Sequence, residues 1–365
     1  MARLPAGLIR PFAPATPDEI EAAQVRLGRA LPADFVSFLR SFDGVDLFHE
    51  AIVIAGVGDE APQQLTELNS DREEGELVFA EASGGDRFAF DQTGRVMRLR
   101  SESDERWLAG SGFAPWLDAV IAHDRLLYDA DGEFSPDAFE PDGAEVVPVV
   151  ALRQAERALK ADPGAAEAEH ERGVALRRLE RLPEAADAFQ RAAELDVSNP
   201  WPWFDLGRVS LALGIAGARR ALSAFEAAGT LDNGATGARL WTWAARAALV
   251  CALPERVESS RREALRREPA LPEALRRARD AAQADGDQDE LDEAEILLEA
   301  IEGPIPRGRL RLATVSEDEL VDEPSPVSAT ASSSKPGPQK PRPSPPRPRP
   351  AGRPKRGGSP KARSR

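Results

Sequence analysis

The chain has 365 residues, of which 42% are apolar, 30% charged and 6% aromatic, and its formal charge is −15. That length allows two domains with cores of their own and a tail. No run approaches the roughly 18 uninterrupted apolar residues that span a bilayer, and the Pro-rich start is too short in apolar residues for a secretion signal. The single cysteine, Cys251, excludes an intrachain disulfide framework and suits a reducing cytoplasm, the expected location.

The charge is unevenly spread. Residues 335–365 carry eleven Lys or Arg and no acid, so the first 334 residues hold 36 basic against 62 acidic side chains, a net −26. An acidic body repels nucleic acid and anionic membranes at long range. Contact with a polyanion is expected from the tail alone.

Residues 1–13 read as a flexible N-terminus. Thr16-Pro17-Asp18-Glu19 has the form of a capping box with proline at the first helical position. It opens a helix with Ile20, Ala23, Val25 and Leu27 on one side, ending at Gly28. Leu31, Phe35, Phe38, Leu39 and Phe42 recur at helical spacing in a second helix, with Asp34 in its first turn and Asp43-Gly44 as its stop. The period then changes. Residues 51–57 and 76–82 predict short strands, and residues 86–91 and 95–101 predict a half-buried hairpin around Gln92-Thr93-Gly94. In that hairpin Phe88 and Phe90 face one way, and Arg87, Ala89 and Asp91 the other. Residues 113–130 return to helix. The fold expected for 14–128 is a compact α+β unit.

Residues 129–147 are acidic and contain Gly and Pro, as in a linker or surface extension. Residues 148–303 show almost no strand alternation, and Pro163, Pro200, Pro254, Pro269 and Pro272 divide them into helical pairs. Gly173 and Gly207 lie 34 residues apart; Leu176, Ala185, Phe189 and Ala192 follow the first, and Leu211, Ala221, Phe225 and Ala228 the second. Small residues let two helices approach and the larger ones fill the space between. The second set is two residues longer, which predicts an extended turn before Ala221. Ala155, Ala158 and Pro163 read as the end of an incomplete leading unit, and Ala245, Ala248, Ala264 and Pro269 as a degraded later one. Residues 304–365 are low in complexity, rich in Pro, Arg and Lys, and expected to be disordered.

No motif for chemistry emerges. His49, His123 and His170 are scattered without metal-ligand spacing. The acidic runs at 129–137 and 285–295 depart from the EF-hand rule at the sixth position, where Phe134 and Glu290 stand. They read as solvated surface. No phosphate loop, dinucleotide fingerprint or nucleophile elbow is present. The expectation is a non-enzymatic protein without catalytic residues, cofactor or metal.

The order Thr16-Pro17-Asp18-Glu19-Ile20, Leu27-Gly28, Leu31 to Phe35, Phe38-Leu39, Asp43-Gly44, Phe79-Ala80, Gly84-Gly85-Asp86, Phe88 to Asp91 and the helix from Phe113 to Val120 resembles the SMI1/KNR4 (SUKH) family over residues 14–128. The resemblance implies an α+β recognition fold without catalytic residues; many bacterial members are immunity proteins that bind and neutralise polymorphic toxins. Residues 150–285 resemble tetratricopeptide (TPR) repeats, which imply a concave protein-binding surface.

Candidate contact residues follow from exposure and residue type. Gly84, Gly85 and Asp86 read either as the turn into the next strand or as a binding loop. Trp107, near Gly110-Ser111-Gly112, reads as an exposed-loop contact. Trp201 and Trp203, and again Trp241 and Trp243, form a Trp-x-Trp pattern in which one ring packs and the other faces outward, since indoles are strong interface anchors. The expected partner is a protein, a basic toxin domain on the immunity reading. The alternative is an adaptor in which the repeats dominate and the basic tail engages a second protein or a polyanion.

Overall fold

A computed structural model describes residues 7–70, 75–103 and 105–305. The tail, together with the expectation of disorder from 306 onward, lies outside the described residues.

The N-terminal part is a meander. Strands β1 (Ile9–Pro11), β2 (Val45–Leu47), β3 (Ile52–Ile54), β4 (Leu77–Ala82), β5 (Arg87–Phe90), β6 (Val96–Leu99) and β7 (Arg106–Gly110) pair in sequence order, every neighbour antiparallel. Helices α1 (Pro17–Leu27) and α2 (Ala33–Leu39) leave the sheet between β1 and β2, a short α3 (Leu65–Leu68) lies between β3 and β4, and α4 (Phe113–Asp124) closes the unit. Part of the expected flexible N-terminus is therefore the first strand: Ile9 pairs with Leu47 and Pro11 with Val45. Three residues are too few for an alternation to show, and their pairing partners lie far along the chain.

The signals at both ends of α1 act as expected. Val25, expected on its apolar side, is instead 75% exposed, because five residues after Ile20 the helix has turned it away from the core. The Thr16 side chain accepts from the Glu19 amide, Glu19 returns a carboxylate to the Thr16 amide, and Gly28 ends the helix at φ +66°. The apolar face of α2 forms the core. Phe35 lies 4.8 Å from Phe113, 5.4 Å from Phe90 and 5.7 Å from Phe79 between ring centroids. Asp34 does more than favour its own helix: it also accepts from the Ala114 amide at 3.0 Å, capping α4, which has no side-chain cap of its own. Asp43 goes beyond a simple stop. Its buried carboxylate accepts from the Val57 and Gly58 amides, each at 2.7 Å, and ties the end of α2 to the loop after β3. The hairpin keeps its period of two, but its outer face is covered as well, for Ala89 packs with Val78 and Leu99 in a second small cluster.

Nine helices follow among the described residues: α5 (Pro148–Ala161), α6 (Ala166–Arg178), α7 (Leu182–Leu195), α8 (Pro200–Ala212), α9 (Ile215–Leu231), α10 (Ala235–Val250), α11 (Pro254–Arg267), α12 (Leu271–Asp285) and α13 (Gln288–Glu302). Short loops turn each helix from α6 to α11 back on its predecessor, the architecture of a TPR-like array, and α13 likewise returns along α12. The repeated glycines do the job their spacing suggests. A methyl added at Gly173 would lie 2.6 Å from the Phe189 ring, and one at Gly207 would lie 2.5 Å from that of Phe225. The extra residues of the second unit are not in its turn: α9 has 17 residues against 14 in α7, so added helix at its N-terminus absorbs them. After α11 the stacking changes. Helix α13 packs on α10, where Leu297, Leu298 and Ile301 share one buried cluster with Trp243, and Arg261 of α11 donates to the Ala300 carbonyl at the end of α13.

The incomplete leading unit, α5, is completed by the other domain. Helix α4 packs on α5 as α5 packs on α6, through Ala119, Ala158, Ala165 and Ala168. The described residues form one compact unit.

Candidate protein-binding surfaces

The join between sheet and array is held by charge. Arg98 of β6 donates to Asp86 at 2.8 Å and to Glu167 of α6 at 3.0 Å, while Arg100 reaches the same two carboxylates at 3.1 and 3.3 Å. Burial opposes ionisation of Asp86, but the Ser101 amide and the two guanidinium groups outweigh it and hold its carboxyl below the usual range. Burial pushes the Glu167 carboxyl up, against the pull of Arg98 and Arg100. On the array side, buried Asp162 accepts from the Ser111 amide at 2.7 Å, and Asn199 donates to the Arg106 carbonyl at 3.3 Å, covering the free edge of β7.

Beside this network lies a cleft of about 300 Å³, with Phe88 and Trp116 on its apolar wall and Arg98, His123, Glu167 and Glu171 on its polar wall. His123 meets Asp124 at 2.6 Å and Glu171 at 3.4 Å. Burial disfavours the imidazolium, but the two carboxylates prevail and push its pKa up to about 10. A histidine held charged between carboxylates is a poor general base near neutral pH. Among the described residues, no group of three or more His, Cys, Asp and Glu side chains could hold a metal ion.

The structure separates the candidate residues from one another. Gly84 and Gly85 form the exposed turn between β4 and β5, with Gly85 at φ +86°. Asp86 is buried and committed to the arginine network. Trp107 is not on an exposed loop. It belongs to β7, is 5% exposed, and its ring lies 4.6 Å from that of His170 on α6. The array covers the sheet edge that would otherwise have exposed it. Trp203 is half-buried against the core shared by α6, α7 and α8. Trp241 donates to the Gly229 carbonyl at 2.9 Å beneath the Arg267 guanidinium, and buried Trp243 stacks on Phe225 at 5.7 Å.

Trp201 differs from these. It is half-buried at the start of α8, set edge-on to Phe204, and it lines an open groove of about 710 Å³. One wall of that groove is the β6–β7 side of the sheet, with Arg95, Met97 and Glu105; the other is the array, with Trp201, Leu231 and Asp232. Sequence reading missed the junction residues Arg98, Arg100, His123, Glu167 and Glu171. Arg98 and Glu167 are 69 positions apart, and nothing local marks either as half of a pair.

Comparison with known proteins places the first part of the chain. Residues 14–119 match the SMI1/KNR4 family (SUKH-1). No curated protein matches the chain. Among solved structures, MamA is 18% identical over 42% of this chain and 88% of its own, with a TM-score of 0.31. YrrB, described as a TPR protein with an unusual peptide-binding site, is 21% identical over 42% and 78%, with a TM-score of 0.30. MamA residues 41 to the end from Desulfovibrio magneticus RS-1 are 20% identical over 43% and 85%, also at 0.30. At such scores these likenesses carry no argument, and the repeat assignment rests on the helix pairs and the Gly–Phe contacts above. The chain carries an N-terminal SMI1/KNR4-like domain, followed by a TPR-like helical array that packs directly onto it.

Proposed function

We propose that this is an immunity-type protein: a non-enzymatic binder that neutralises a toxin by covering a basic surface of it. The observation that carries this reading is the SMI1/KNR4-like domain in a body of net charge −26 over its first 334 residues. An acidic surface speeds encounter with a basic partner and selects against acidic ones. The groove beside Trp201 supplies an apolar centre with charged walls, the layout of a protein contact. Both domains line that groove, so the array on this reading is part of the binding body.

The test uses the full chain, because residues 1–130 alone would expose Trp107 and leave Arg98 and Arg100 without Glu167. A secreted toxin domain encoded beside this gene is co-expressed with the full chain, and complex formation is measured by calorimetry and cell survival by plating. The expected result is a one-to-one complex that restores growth and is weakened at least tenfold by Trp201→Ala, as for an interface anchor. Absence of both complex and protection would reject the immunity role. A partner bound without any gain in survival would favour the adaptor role.

A further inference from the structure

The segment joining α4 to α5 is a fixed loop with an aromatic outer face. Tyr128 bridges to Phe134 and Phe139 to Val146, and the Ser135 amide donates to the Leu127 carbonyl at 2.8 Å. The Asp129 carboxylate accepts from the amides of Asp131 and Glu133. Either end is anchored: the Tyr128 ring stacks on Phe48 at 5.4 Å, and Arg178 of α6 donates to the Val146 carbonyl at 3.0 Å.

On this base Phe134 stands 58% exposed, stacked on Tyr128 at 4.7 Å and edge-on to Phe139 at 5.9 Å. Pro136 and Pro141 flank the rings, and the four side chains border a groove of about 620 Å³. On the same loop, Glu140 and Glu145 are paired with Arg178, whereas Asp131, Glu133 and Asp137 have no cationic partner among the described residues. The fixed loop thus holds an apolar ring in water, with three unbalanced carboxylates within three residues of it along the chain.

We propose that this groove binds an extended segment rich in proline and arginine. The loop's own backbone bonds are closed, so it offers no strand edge for pairing. A polyproline II segment needs none; it is extended in advance and presents its rings to aromatic slots. Arginine suits the rest of the site, since its guanidinium pairs with carboxylates and stacks on aromatic faces. This surface is separate from the groove beside Trp201 and does not depend on what the family domain binds. Residues 341–350 of this chain, PRPSPPRPRP, have the required composition and supply a probe.

The experiment measures fluorescence anisotropy of labelled PRPSPPRPRP against the full chain and against residues 1–310, which include all the described residues of the compact unit. The control peptide ARASAARARA keeps the charge and loses the prolines. Expected results are saturable binding by residues 1–310, at least tenfold weaker binding of the control, and a loss of about tenfold or more with Phe134→Ala at an unchanged melting temperature. Joint replacement of Asp131, Glu133 and Asp137 by their amides should reduce the salt dependence. Binding by residues 1–310 but not by the full chain would also support the site, with the chain's own 341–350 as competitor. Equal binding of the two peptides, no effect of Phe134→Ala, or no binding by either protein would overturn the proposal.

Discussion

Arg98 on β6 and Glu167 on α6 meet at 3.0 Å across the junction of the two domains, with Glu167 almost fully buried. A buried carboxylate is costly to leave unpaired. Arg98→Met should therefore destabilise the chain by about 3 kcal/mol, the low end for a broken buried pair because Arg100 remains nearby. Adding Glu167→Gln should recover at least half of that loss. Urea unfolding at neutral pH measures both, and a double variant no more stable than Arg98→Met would show that the charge is not the cause.

The Gly173–Phe189 contact reverses a usual rule. Alanine normally stabilises a helix interior by about 1 kcal/mol relative to glycine. Here the added methyl would sit 2.6 Å from a ring that is itself fully buried. Gly173→Ala and Gly207→Ala should each cost about 1–3 kcal/mol by overpacking. Thermal unfolding checks this, and a higher melting temperature in either variant would contradict the packing described.

His123 makes stability depend on pH. It contacts Asp124 on its own helix, Glu171 on α6 and Gln154 on α5, and it shares a cleft with Glu167 on α6 and Arg98 on β6. Its pKa rises from 6.5 to about 10 in the folded chain. A folded-state value above the unfolded one means that the stabilisation is complete below about pH 6.5 and disappears as pH rises through about 10. His123→Gln should lower the melting temperature at pH 7, and its deficit relative to wild type should shrink towards pH 10. On the acid side, burial opposes ionisation of Glu171, but His123 lowers its pKa, so that contribution is lost as pH falls below the ordinary glutamate range. A deficit constant across the alkaline window would remove His123 as the titrating group.

Asp43 anchors the loop after β3 through two amides. Asp43→Ala should cost about 2–3 kcal/mol, since it leaves two buried donors without an acceptor. Asp43→Asn, which keeps one acceptor oxygen, should cost less. Hydrogen exchange at the Val57 and Gly58 amides reports the local effect, and protection unchanged in the alanine variant would refute it.

Much of the fold could be read locally. The capping box at Thr16, the phenylalanine spacing of α2, the Phe88–Phe90 hairpin and the 34-residue offset of Gly173 and Gly207 all express contacts over a few residues or one repeat. Strands β1, β2 and β7 could not be read this way. They have three, three and five residues, and partners decide their pairing. Trp107 illustrates the limit for site residues, because its position beside a Gly-rich turn gives no sign of the helix that covers it.

The sequence by itself determined an acidic body, an α+β domain with a phenylalanine core and a helical array packed through small residues, because hydrophobic period and turn chemistry act at short range. Tertiary structure alone decided that the two domains share α4 as a common layer and that Arg98, His123, Glu167 and Glu171 belong to one junction. It also left Phe134 exposed and set the half-buried Trp201 on the wall of an open groove. Those outcomes depend on which distant surfaces exclude water from one another, and no local pattern of residues encodes that.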